Sequence, residues 1–180
     1  MMEHSSPQTL EAGAGSAYAA GEYREAAELY DQAARAYRDG GDPLQAAEMD
    51  NNRCVALLQI GRSAEALEIV RGTDQLFAEA GDHHRRAVAL ANIGTALEEE
   101  GEKEEALVHY RESAQIFQEH GEKELYAQVM KSISGLQLRG RDPMGAVVSM
   151  QHGLDEAEKP TLVQRLLQRL LKIPSKLLPK

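Results

Sequence analysis

The sequence predicts an all-helical solenoid, a stack of antiparallel helix pairs, and three observations lead there. Glycines recur at near-constant spacing: Gly21, Gly61, Gly101 and Gly140 stand 40, 40 and 39 residues apart, and Gly41, Gly81 and Gly121 fall between them, again 40 apart. Two glycine turns per period imply two helices of similar length in each repeat. Composition points the same way, because Ala, Leu, Glu, Gln and Arg favour helix. Aromatics are only 4% of the chain and Trp is absent, so its cores must close with small side chains. Third, the apolar positions share the period. A shift of 40 residues carries Ala66 onto Ala106, Leu67 onto Leu107, Phe77 onto Phe117 and Gly81 onto Gly121.

The elements follow in order. Residues 1–7 are expected to be disordered, and the solenoid to run over 8–158 with repeats near 8–41, 43–81, 83–121 and 123–158. In repeat 1, helices are expected at 8–20 and 23–39. The segment EAGAGSAYAAG is glycine-rich, and each interior Gly costs about 1 kcal/mol relative to Ala, so this first helix is expected to fray. Ala26, Tyr30, Tyr37 and Gly41 then match the period, Tyr30 with Tyr110 and Tyr37 with Phe117. The alanine lets the second helix approach its neighbour, and the aromatic rings fill the space between repeats.

Repeat 2 is expected to hold helices 43–60 and 63–80, repeat 3 helices 83–100 and 103–120, and repeat 4 helices 123–139 and 142–157. Pro43 follows Asp42 and Pro143 follows Asp142, a capping acid and then a proline in the first turn, where its missing N–H does no harm. Repeat 4 keeps the register of its helices, Ile133 with Ile93, Ser134 with Gly94, Ala146 with Ala106 and Met150 with Tyr110, while its turn glycine slips to Gly140. Pro160 opens a last helix over 160–172.

Bulk properties narrow the function. A chain of 180 residues can bury a core without staples. Its single Cys54 allows no internal disulfide, which fits a reducing compartment, and the cytoplasm is expected. The start, MMEHSSPQTL, has neither a basic nor an apolar signal region, and no apolar run is long enough to span a bilayer. The net charge is −9, yet residues 159–180 hold six basic residues and no acidic one, which leaves −15 on residues 1–158. Such a body repels nucleic acid, so no nucleic-acid partner is expected.

Segments such as ALANIGTALEEEGEKEEALVHYRESAQIFQEHGE resemble tetratricopeptide repeats, in the longer form of about 40 residues found in kinesin light chains and in bacterial multi-repeat proteins. The resemblance covers roughly residues 8–157. It implies a right-handed α-solenoid of four helix pairs and a non-enzymatic adaptor that binds a peptide or partner domain in a concave groove lined by the first helix of each repeat. On that alignment Asn52 and Asn92 share one groove position, where asparagines of the long-repeat families hydrogen-bond the backbone of an extended peptide. An amide offers both donor and acceptor, which suits a peptide unit. Ala12 and Ser132 hold the same place in repeats 1 and 4. Flanking candidates are Glu48, Asn51, Val55, Thr95, Glu98, Glu99, Gln128, Lys131, Gly135 and Arg139. The family's carboxylate clamp is mostly missing, since only Asn92 and Lys131 stand at its sites.

Catalytic chemistry has little support. His83, His84, His109, His120 and His152 show no metal-ligand spacing, the run Glu98 to Glu105 reads as a solvated helix end and turn, and no phosphate-binding glycine loop occurs. No cofactor and no metal are expected. Cys54, at a small position of the repeat, reads as core.

The C-terminal stretch TLVQRLLQRLLKI is strongly amphipathic, with Leu162, Val163, Leu166, Leu167, Leu170, Leu171 and Ile173 at helical spacing and Arg165, Arg169 and Lys172 opposite. Solenoids need a cover on their last apolar face, and capping is the first reading. A polar face whose charges are all basic also suits an anionic membrane surface, at the inner face of the membrane, a partner protein or a second copy of the chain. Arg165, Leu166, Arg169, Leu170 and Lys172 are the docking candidates. A peripheral membrane scaffold or assembly factor and an export or holding chaperone are the rival functions.

Overall fold

The computed structural model describes residues 6–156, and every described element is helical. In order these are α1 (Pro7–Ala19), α2 (Tyr23–Asp39), α3 (Pro43–Gln59), α4 (Ser63–Val70), α5 (Thr73–Glu79), α6 (His83–Glu100), α7 (Lys103–Glu119), α8 (Lys123–Arg139) and α9 (Pro143–Glu156). Contacts divide the chain into a unit reaching His109 and a second beginning at Tyr110.

In the first unit α1 packs on α2, α2 on α3, α3 on α4 and α5, and α4 and α5 on α6, while α3 also meets α6 directly. Such stacking of successive pairs is the all-α solenoid that the glycine period predicts. The core uses small residues where backbones approach, with Ala26, Ala33, Ala46, Ala66 and Ala87 all fully enclosed. Larger side chains fill the spaces left between them. Phe77 sits against Ala47 and Ala89 with Leu44 packed alongside, and burying such a ring contributes about 1.5–3 kcal/mol.

The helix starts obey capping chemistry. Asp42 accepts the Gln45 N–H at 3.1 Å and Asp82 accepts the Arg85 N–H at 2.9 Å, each satisfying an amide that has no partner inside its helix. Asp142 does the same for Gly145 at 2.9 Å. The turn glycines Gly21, Gly41, Gly61, Gly81, Gly101 and Gly121 all adopt positive φ. At the turn before α9, the left-handed place falls on Arg141, φ 62°, while Gly140 has φ −79°. The slipped glycine of repeat 4 therefore leaves a side-chain-bearing residue in a conformation that costs about 1–2 kcal/mol.

Two expectations need correction. The first helix is not interrupted at its glycines: α1 is continuous through Gly13 and Gly15. Ser6 caps it by accepting the Thr9 N–H at 3.2 Å, Pro7 opens it, and the Tyr37 hydroxyl donates to Glu11 at 2.7 Å. Its glycines also face α2, where a Cβ on Gly13 would lie 3.6 Å from Leu29. Second, the single helix read over 63–80 is two helices. Arg71 turns extended (φ −58°, ψ 128°) and Gly72 is left-handed (φ 83°), so α4 ends at Val70 and α5 begins at Thr73.

In the second unit α8 packs on α9. The contact is close at Gly153, where a Cβ would come within 3.0 Å of Met130 and 3.3 Å of the Ala127 carbonyl. Ser134 donates to the Ala146 carbonyl at 2.8 Å and Ser149 to Gln137 at 2.7 Å. On the other side of α9, Met144, Val147 and Val148 are exposed, Met144 by 73%. They recur at helical spacing and form one apolar face.

Candidate partner-binding surface

Helices α3 and α6 bring together most of the residues singled out from the sequence. Glu48 on α3 and Arg85 on α6 form an ion pair at 2.9 Å. Arg85 also reaches Asp82 at 2.6 Å and lies over the Phe77 ring, 5.4 Å from its centre. A guanidinium held on three sides is fixed more firmly than a lone surface ion pair. Burial opposes the charge of Asp82, but the N–H and guanidinium of Arg85 outweigh it and hold that carboxyl below the usual carboxylate range.

Further along the same helices, Asn92 Nδ2 donates to Asn51 Oδ1 at 3.0 Å. Asn51 is only 4% exposed. Its own Nδ2 donates to the Ala47 carbonyl at 2.9 Å and to the Thr73 hydroxyl at 3.0 Å, and Thr73 donates to the Val70 carbonyl at 2.8 Å. Asn51 thus lies beneath the surface with its amide fully engaged. Asn52 and Asn92 are half-buried, and the Asn52 side chain makes no hydrogen bond among the described residues. Val55 and Thr95 are also half-buried, with the Thr95 hydroxyl donating to the Ala91 carbonyl at 3.0 Å; Glu98 is half-buried and Glu99 exposed.

The α8 candidates lie in the second unit. Gln128, Lys131 and Arg139 are exposed there, and Gly135 is half-buried with the Arg139 guanidinium 3.6 Å from where its Cβ would stand. Arg165, Leu166, Arg169, Leu170 and Lys172 lie outside the described residues.

Sequence reasoning missed two features. Arg53 of α3 bridges Asp31 of α2 at 2.5 Å and Glu65 of α4 at 2.8 Å, locking three successive helices. Asp50, one turn away, is 6% exposed and pairs with Arg38. Burial pushes its carboxyl above the usual range, with the pairing to Arg38 acting against that. The signal for Arg53 was faint, because its partners stand 22 and 12 residues away with no shared motif.

The surface offers recognition chemistry. Glu48 and Asp82 are both paired with the Arg85 guanidinium, and Cys54 is fully enclosed, with its thiol pushed up to about 12 by burial, so it stays protonated at neutral pH. Among the described residues no group of three or more His, Cys, Asp or Glu is placed to hold a metal ion, and no helix is long and apolar enough to cross a membrane.

Residues 45–119 match the tetratricopeptide repeat family model. The fold is similar to a solved structure described as "MamA RS-1 ArsTM double mutant", with a TM-score of 0.64 and 15% identity, over 86% of this chain and 76% of that one. No curated protein matches the chain in sequence.

Proposed function

From the premise that this chain is a tetratricopeptide repeat protein, we propose that it is a non-enzymatic adaptor that holds an extended peptide of a partner protein along the α3/α6 surface. The observation that carries this reading is the pair Asn52 and Asn92, half-buried at one repeat position on two helices that touch. Each amide offers a donor and an acceptor to a peptide backbone. Glu48, Thr95, Glu98 and Glu99 supply the flanking polar contacts, and Arg85 fixes the orientation of Glu48. Asn51 serves from below, through Asn92. Lys131 and Arg139, in the second unit, are assigned to partner contact on their own account.

The test is selection of short random peptides displayed on phage, panned on the wild-type protein and counter-selected on the folded double variant Asn52→Ala, Asn92→Ala. Peptides that need both amides support the reading; a selection whose binders ignore the double substitution sinks it.

The tail has a role separable from the surface. We assign residues 160–172 to capping the exposed face of Met144, Val147 and Val148, because that segment carries an apolar stripe in the sequence and α9 leaves those three side chains exposed. Deleting 160–180 is expected to lower Tm. Unchanged melting with loss of sedimentation on phosphatidylserine vesicles would instead favour the peripheral membrane scaffold.

A further inference from the structure

We propose that Thr73 and Asn51 form a one-way hydrogen-bond relay that fixes the orientation of the Asn92 amide with its carbonyl oxygen open, so that the ligand group meeting this oxygen is a hydrogen-bond donor, a backbone N–H of the bound peptide. This rests on the peptide-binding reading above and gives it a polarity.

The relay starts at a helix end. In an unbroken helix the Val70 carbonyl would take the N–H four residues on. Because α4 stops at Val70, that carbonyl accepts the Thr73 hydroxyl instead, at 2.8 Å. A carbonyl can only accept, so the Thr73 proton points to Val70 and Oγ1 is left as an acceptor. Asn51 Nδ2 meets it at 3.0 Å and meets the Ala47 carbonyl, a second acceptor-only group, at 2.9 Å. Both hydrogens of that amide are then in use, which sets Oδ1 of Asn51 on the far side. There it takes an N–H from Asn92 at 3.0 Å.

Exchanging oxygen and nitrogen in either amide would set acceptor against acceptor in a site where Asn51 is 4% exposed and water cannot relieve the clash. Direction is therefore inherited from Val70 out to Asn92. Asn92 is half-buried, and its Oδ1 takes no hydrogen bond among the described residues. What remains is the oxygen, an acceptor aimed by its neighbours and positioned before any ligand arrives, beside the one Asn92 N–H that the relay does not use. The arrangement belongs to repeat 2: the places of Asn51 and Thr73 are held by Glu11 and Ala33 in repeat 1, and by Ala91 and Ser113 in repeat 3.

Two measurements on the full chain test this. In the first, the side-chain amide resonances of Asn92 are followed by NMR in wild type, Thr73→Val and Thr73→Ser. The two amide protons are expected to be well separated in wild type, to converge in Thr73→Val, and to separate again in Thr73→Ser, which restores only the hydroxyl. Thr73→Ala carries the expectation of Thr73→Val where the larger side chain does not fold. Asn92 resonances indifferent to the hydroxyl overturn the relay.

In the second, a peptide from the display selection is N-methylated one amide at a time. One position is expected to lose about tenfold in affinity, the scale of one hydrogen bond, and to lose little when the protein carries Asn92→Ala or Thr73→Val. A scan with no position that depends on Asn92 overturns the donor assignment. A selection that returns no peptide overturns the binding reading and the donor assignment with it, while the NMR result still decides the relay.

Discussion

The second helices of repeats 1 and 2 occupy the same place in the 40-residue period, yet one is unbroken and the other is two pieces. Helix α2 runs from Tyr23 to Asp39 without interruption, whereas its counterpart is split into α4 and α5 at Arg71 and Gly72. The burial register survives the split: Ala26, Tyr30, Ala33 and Tyr37 are buried in α2, and Ala66, Val70, Thr73 and Phe77 in α4 and α5. Turns and large buried residues thus set the repeat, and helix continuity is free to vary within it. In repeat 2 a neighbouring helix uses that freedom, sending Asn51 to the opened backbone through Thr73.

Breaking the comparison begins with the residue that the two helices share in kind. Phe77→Ala should cost about 3–5 kcal/mol, measured by urea unfolding, because the ring is 1% exposed and nothing smaller fills its space. A loss below about 1 kcal/mol would mean that Phe77 does not hold the register across the break. Thr73→Val should cost about 1–3 kcal/mol, since it leaves the Val70 carbonyl and one Asn51 N–H unpaired in the interior.

Backbone substitutions sharpen the comparison from both sides. Gly72→Ala should cost about 1–2 kcal/mol from its left-handed φ of 83° alone, because beyond its chain neighbours no atom lies within 4 Å of the added methyl. Gln32→Gly, the matching change in α2, should cost about 1 kcal/mol. It should not open the helix, since Ala33 supplies no hydroxyl to take over a carbonyl. Hydrogen exchange across residues 28–36 would expose a break if one formed.

The smallest change at neutral pH is Tyr37→Phe, about 1 kcal/mol for its hydrogen bond to Glu11. That bond, with burial and the Glu11 charge, pushes the phenol from its ordinary 10.0 up to about 12. The unfolded chain then releases this proton first, so the contribution is complete below pH 10 and is lost as pH rises through 12. Thermal unfolding of wild type and Tyr37→Phe should diverge below that window and converge above it.

Much of the fold could be read from residues alone. The glycine series placed the turns because a left-handed residue is needed at each, and the Asp-Pro pairs marked two helix starts because both residues suit a first turn. Gly72 escaped notice because an isolated glycine within a helical pattern is usually tolerated. Its effect depended on Thr73 beside it and Asn51 22 residues before it. The candidate surface was half legible. Asn52 and Asn92 follow from the period, but the burial of Asn51 does not, since two adjacent residues on a helix point about 100° apart and only the neighbouring helix decides which one is covered. Arg53 was opaque for the same reason, its partners being chosen by packing.

The left-handed Arg141 bears on how the molecule moves. Its strain disappears whenever the turn before α9 unwinds, so opening there needs less free energy than at a turn built on glycine. Amide hydrogens of α9 should therefore exchange through local excursions, faster than those of the core helices.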